Sequence, residues 1–108
     1  MSPSGPMLAH TVLFSLHDPS PRAKEKLAAA CKKLLSQHEG TLFFAVGTRA
    51  EDIEWSSSDR EFDFVLHLVF RTKADHDRYQ DSPEHVRFLD ENGNAWKDVR
   101  AIDAYVAS

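Results

Sequence analysis

The chain has a single cysteine, Cys31, in 108 residues, which excludes an internal disulfide and any cysteine-based metal cluster. Stability must therefore come from packing, and a chain of this length is one domain with a modest core. Glycine is also scarce, with four residues, and no Gly-rich phosphate loop, dinucleotide-binding fingerprint or Gly-x-Ser-x-Gly elbow occurs. No apolar run approaches the roughly 20 residues that cross a bilayer. Charge of one sign is never concentrated: 13 basic and 17 acidic residues give a net charge of −4. Without a basic stripe to hold phosphates, nucleic acid is not an expected partner. The N-terminal residues lack a basic stretch followed by an apolar one, so no secretory signal is expected. Residues 1–7 read as a short flexible tail, residues 8–108 as the domain, and a cytoplasmic location follows.

What is present is alternation. Leu8, His10, Val12, Phe14 and Leu16 fall on one face of a first strand. His17-Asp18-Pro19-Ser20-Pro21 stops it. Ser20 suits a helix N-cap and Pro21 the first helical position, where its missing N–H costs nothing. The helix is expected to run to Gln37 or His38, burying Leu27, Cys31, Leu34 and Leu35, with Gly40 as its stop. Thr41 to Thr48 is a second strand. Arg49 to Glu61 is a polar loop, with Ile53 and Trp55 as candidate anchors. Phe62 to Phe70 is the clearest strand, with Phe62, Phe64, Leu66, Leu68 and Phe70 on one face and Asp63, Val65, His67 and Val69 on the other. A helix from Thr72 to Gln80 follows; Ser82-Pro83 restarts it, and Asn92-Gly93-Asn94 ends it. Asp98 to Val106 is the last strand.

Strand, helix, strand, strand, helix, strand is the split β-α-β order. The expected fold is α+β, ferredoxin-like βαββαβ, with an antiparallel four-stranded sheet and the helices on one face. The other face, carrying Val65 and Val69, has nothing to cover it, and a second copy of the chain is the natural occupant. A homodimer is expected.

The segment Tyr79-Gln80-Asp81-Ser82-Pro83-Glu84-His85 holds the chemistry. It sets a phenol and an imidazole six residues apart across a proline-forced break. Imidazole carries protons near neutral pH, and a phenol can donate to a developing enolate oxygen. The same pair also suits a packed corner, so both readings stay open. His10, on an apolar strand face, reads either as core or as pocket lining. Of the six histidines, none stands in a His-x-x-x-His or Glu-x-x-His spacing, and consecutive Asp75, His76 and Asp77 fan out around a helix. No protein-ligated metal and no cofactor are expected.

His10-Thr11-Val12-Leu13-Phe14, Val46-Gly47, the strand ending in Phe70, then Tyr79, Pro83-Glu84-His85, Phe88 and the closing Val99 to Tyr105 together resemble the stress-responsive α/β-barrel (Dabb) family, over Leu8 to Val106. The resemblance implies a dimer whose two sheets close into an α/β barrel. One plant member, olivetolic acid cyclase, closes a polyketide by aldol condensation without a cofactor, using a tyrosine and a histidine that match Tyr79 and His85; His10 matches its strand-one histidine. This chain departs in carrying Phe64 where the cyclase has a third-strand histidine, and Ser82 where many members have the first histidine of His-Pro-x-His. Its Arg49–Glu61 loop is also longer.

The resemblance thus implies a pocket for a small apolar or enolisable ligand. Its lining would be His10, Phe64, Leu66 and Phe88, with His85 as base and Tyr79 as oxyanion donor. A stress-associated structural dimer without chemistry, and a monooxygenase of the dimeric α/β-barrel type, are the alternatives.

Overall fold

Alternation at the start of the chain produces β1, Met7–Leu16, in which Leu8, His10, Val12, Phe14 and Leu16 are all buried. The structure is a computed structural model and describes residues 5–108. Met7, expected in the tail, already belongs to β1 and pairs with Val106; residues 1–4 of the expected tail lie outside the described residues. Ser20 caps α1, Pro21–Leu35, by accepting from Ala23 N, and Pro21 opens it. The four residues expected on its buried stripe are the four that are buried.

The chain continues through β2 (Thr41–Thr48), β3 (Phe64–Phe70), α2 (Lys73–Gln80), α3 (Pro83–Asn92), a short 3-10 turn and β4 (Trp96–Val106). The sheet order is β2-β3-β1-β4, antiparallel throughout. This is the ferredoxin-like arrangement, with the second helical region split in two at Pro83. The core lies between the sheet and the helices. It joins Leu8, Val12, Phe14 and Leu16 to Leu66, Leu68 and Phe70, to the α1 stripe, and to Tyr79 and Phe88. Leu35 is fully buried, worth about 2 kcal/mol of apolar transfer.

Several boundaries differ from the sequence reading. Helix α1 stops at Leu35 with Ser36 as its C-cap, and His38 Nε2 lies 3.0 Å from the Leu34 carbonyl and donates to it. This side chain satisfies a helix-end acceptor, and Gly40, expected as the helix stop, lies beyond it. Gly40 instead takes φ of +87° just before β2, and a Cβ there would run into the Asp75 carboxylate. Asp75 is buried, and Arg71, Thr72 and Arg78 all donate to it. The Arg71 hydrogen bonds come first among the causes holding its carboxyl below the usual range.

Ile53 and Trp55 do not anchor the β2–β3 loop; they are exposed, Trp55 at 75%. A loop this polar offers them no apolar neighbours, and ionic contacts hold it instead. Arg100 donates twice to Asp59, at 2.7 and 3.0 Å, and Asp63 Oδ2 accepts from Leu16 N at 2.7 Å. That role for Asp63 also delays β3 until Phe64. Strand β4 begins at Trp96 rather than Asp98 because the indole packs on Phe14 and Phe88, centroids 4.8 and 5.9 Å away.

The helix-free face carries Thr11, Val65, His67 and Val69 at the centre, with Phe43 and Ile102 each 54% exposed. Among the described residues, no helix is long and apolar enough to cross a membrane.

Candidate functional site

The break between α2 and α3 is built from its sequence. Pro83 cannot continue α2, so that helix ends at Gln80 with Asp81 as its C-cap, and Ser82 caps the start of α3. Its hydroxyl donates to the Tyr79 carbonyl at 2.8 Å and accepts from His85 N at 3.1 Å. Tyr79 thus occupies the last turn of α2 and His85 the first turn of α3, and the bend turns both toward the sheet. Their rings meet edge to face with centroids 5.0 Å apart.

A cavity of about 150 Å³ opens beside them, lined by His10, Leu66, Tyr79, His85 and Phe88, with Gln80 from the end of α2 and Val99 and Ala101 from β4. Five of the six expected site residues therefore converge. Phe64 does not. It is buried against Phe14, centroids 5.8 Å apart, near the start of β3, where it lies toward α1 and lines a separate surface concavity with Pro21 and Gly47. The period-2 pattern gave its face correctly but not its distance along the strand. A larger concavity, about 390 Å³, lies between the start of α1 and the end of α3 and is lined by neither histidine nor tyrosine.

Two polar atoms of the lining residues, Tyr79 Oη and His85 Nδ1, are buried with no hydrogen-bond partner among the described residues. Such atoms are rare, because each forfeits its hydration without replacement. Burial pushes the Tyr79 hydroxyl well above the ordinary phenol value, so it stays protonated as a donor. Burial first, then the neighbouring His10, His38 and His76, push His85 below the ordinary imidazole value. The imidazole is neutral at physiological pH.

The sequence did not reveal what surrounds this pair. His10 stands opposite Asp103 in the β1–β4 register, and its Nδ1 donates to Asp103 Oδ1 at 2.5 Å. His38 and His10 flank the Tyr79 ring at centroid distances of 5.2 and 6.2 Å, and His76 lies 4.9 Å from His10. Three of the six histidines thus surround one tyrosine, and His76 lies behind His10. The one available signal was Asp103, an acid on the same strand face as Val99 and Ala101. Cys31 stays in the core, and burial pushes its thiol up to about 12, which makes it inert.

Comparison with known proteins agrees with this architecture. Among solved structures, a Dabb family protein with a ferredoxin-like fold from Mesorhizobium loti is 25% identical; the match covers 95% of this chain and 99% of that one, with a TM-score of 0.78. A dimeric ferredoxin-like protein of unknown function from Thermobifida fusca is 21% identical, over 95% and 93% of the two chains, with a TM-score of 0.77. The hydroxynitrile lyase from Passiflora edulis is 18% identical, over 95% of each chain, with a TM-score of 0.74. No curated protein matches the chain by sequence. The family model of the stress-responsive A/B barrel domain matches residues 8–106, and with nearly the whole chain inside that match, the protein belongs to the stress-responsive A/B barrel, or Dabb, domain family.

Proposed function

We propose that the chain forms a homodimer through its open sheet face, and that each protomer binds a compact, mainly apolar ligand with one carbonyl oxygen in the Tyr79–His85 cavity. The observation that carries this reading is the pair of orphaned atoms, Tyr79 Oη and His85 Nδ1, buried in one cavity. A ligand oxygen accepting from Tyr79 and a ligand proton facing His85 would complete both. The dimer is supported by the exposed Phe43 and Ile102 on a helix-free face and by a structural neighbour described as dimeric.

The same groups support acid/base chemistry without a cofactor. Neutral His85 takes a proton from the carbon next to the ligand carbonyl. The C–H electrons form the enolate, and the charge gathers on the oxygen that Tyr79 holds. In an aldol-type closure the enolate carbon attacks a second carbonyl, and the new alkoxide recovers the proton from the His85 imidazolium. Volume restricts the substrate. A cavity of about 150 Å³ is the size that accepts a benzene-like molecule, well below the roughly 300–1,000 Å³ of sites for drug-sized ligands.

Cyclohexanone is a suitable probe. Wild-type protein should accelerate exchange of its α-hydrogens for deuterium, read by NMR, and should show shifts at Tyr79 and His85. His85→Ala should abolish the acceleration, and Tyr79→Phe should reduce it at least about tenfold, both with unchanged circular dichroism. Neither binding nor exchange in the wild type would leave a purely structural dimer.

A further inference from the structure

A second group of side chains lies against the same cavity, where α2 packs on β1 and the His76 side chain reaches the β1–β4 pair. His10 and Asp103 are direct cross-strand partners, joined through one proton at 2.5 Å. His76 and Gln80, four apart on α2, share a helix face. The donor atoms of His10, His76 and Asp103 all lie within 4.8 Å of one another. A cleft of about 220 Å³, lined by Leu8, Lys73, His76, Asp103 and Tyr105, reaches them from the surface.

Residues around these three supply what metal-ligating imidazoles need. His76 Nδ1 lies 3.0 Å from Asp77 Oδ1. A carboxylate only accepts, so Nδ1 carries the proton and Nε2 keeps a free lone pair. The Gln80 amide lies 3.4 Å from Nε2 of both His10 and His76. With its oxygen turned inward it accepts an Nε2–H from His10 once Nδ1 is engaged.

We propose that His10, His76 and Asp103 form a binding site for one divalent transition-metal ion of the zinc class. The ion takes the place of the proton on His10 Nδ1, which moves to Nε2 where Gln80 accepts it, so His10 ligates as a neutral imidazole beside the Asp103 carboxylate and His76 adds the second imidazole. Two nitrogens and one carboxylate oxygen suit zinc, cobalt or iron(II) and leave coordination positions open toward the cleft. Asp77 and Gln80 act as outer partners that fix the rings. This site does not depend on the ligand reading of the Tyr79–His85 pair, since its own residues and its own readout define it.

The test uses tag-free protein stripped with a chelator, titrated with zinc chloride by calorimetry and with cobalt chloride by visible absorption. One ion per chain is expected, with a cobalt d–d band of nitrogen ligation. His76→Ala and Asp103→Asn should each weaken binding at least about tenfold. Both side chains reach the surface, so neither change empties the core. His67→Ala, on the opposite sheet face, should change nothing. Absence of stoichiometric binding in the wild type, or unchanged affinity in His76→Ala, would overturn the proposal.

Discussion

Replacing Tyr79 by phenylalanine should make this protein more stable while weakening the proposed ligand site. The hydroxyl is buried without a protein partner, and such a group costs about 1–3 kcal/mol relative to one that is satisfied. Phenylalanine keeps the ring contacts with Phe70, His38 and His85, at centroid distances of 5.0, 5.2 and 5.0 Å. The lost oxygen enlarges a void of roughly 12 Å³, which at the usual cavity coefficient costs about 0.3 kcal/mol. The net gain is about 1 kcal/mol, or roughly 4 °C in Tm for a domain of this size. Urea unfolding followed by Trp96 fluorescence measures it, at one fixed protomer concentration because a dimer's stability depends on it. A loss of 1 kcal/mol or more, with the denaturant slope unchanged, would show that the hydroxyl is satisfied in the folded protein. The argument from orphaned atoms would then fail for Tyr79.

His85 gives a pH dependence. Its folded-state pKa lies below the unfolded value of 6.5, so the unfolded chain takes up the proton first. The contribution of this histidine is complete above pH 6.5 and is lost as pH falls toward the depressed value; His85→Asn should flatten that limb of the stability–pH curve, and an unchanged curve would refute it. Gly40→Ala combines a left-handed φ with a collision against buried Asp75. It should lower stability by at least about 2 kcal/mol in thermal unfolding, and near wild-type stability would mean that the Arg71–Asp75–Arg78 network moves freely. Ile102→Glu places a charge on the half-exposed open face. Circular dichroism should stay unchanged while light scattering reports monomers; a persistent dimer would place the interface elsewhere.

The helix and strand faces were legible because local rules governed them. Alternation put Leu8, His10, Val12, Phe14 and Leu16 inward, and the 3.6-residue period selected Leu27, Cys31, Leu34 and Leu35. Ser20-Pro21 and Ser82-Pro83 set helix starts by capping and by the missing proline N–H. From these the order of strands and helices along the chain, the ferredoxin-like class, the uncovered face and the Tyr79–His85 bend followed from the amino-acid order alone. What the chain order could not contain was distance between elements.

Phe64 has the right face but packs too far along β3 to reach the cavity. Ile53 and Trp55 are apolar, yet the loop is held by Asp59 and Asp63, whose partners Arg100 and Leu16 belong to other strands. Asp103 meets His10 across 93 residues of chain only because β4 pairs with β1 in one particular register. His76, fanned away from Asp75 by helical geometry, joins them because α2 packs on β1 with this side chain turned toward His10. Local periodicity fixes which way a side chain points. Strand register and helix packing, which are long-range, decide what it meets.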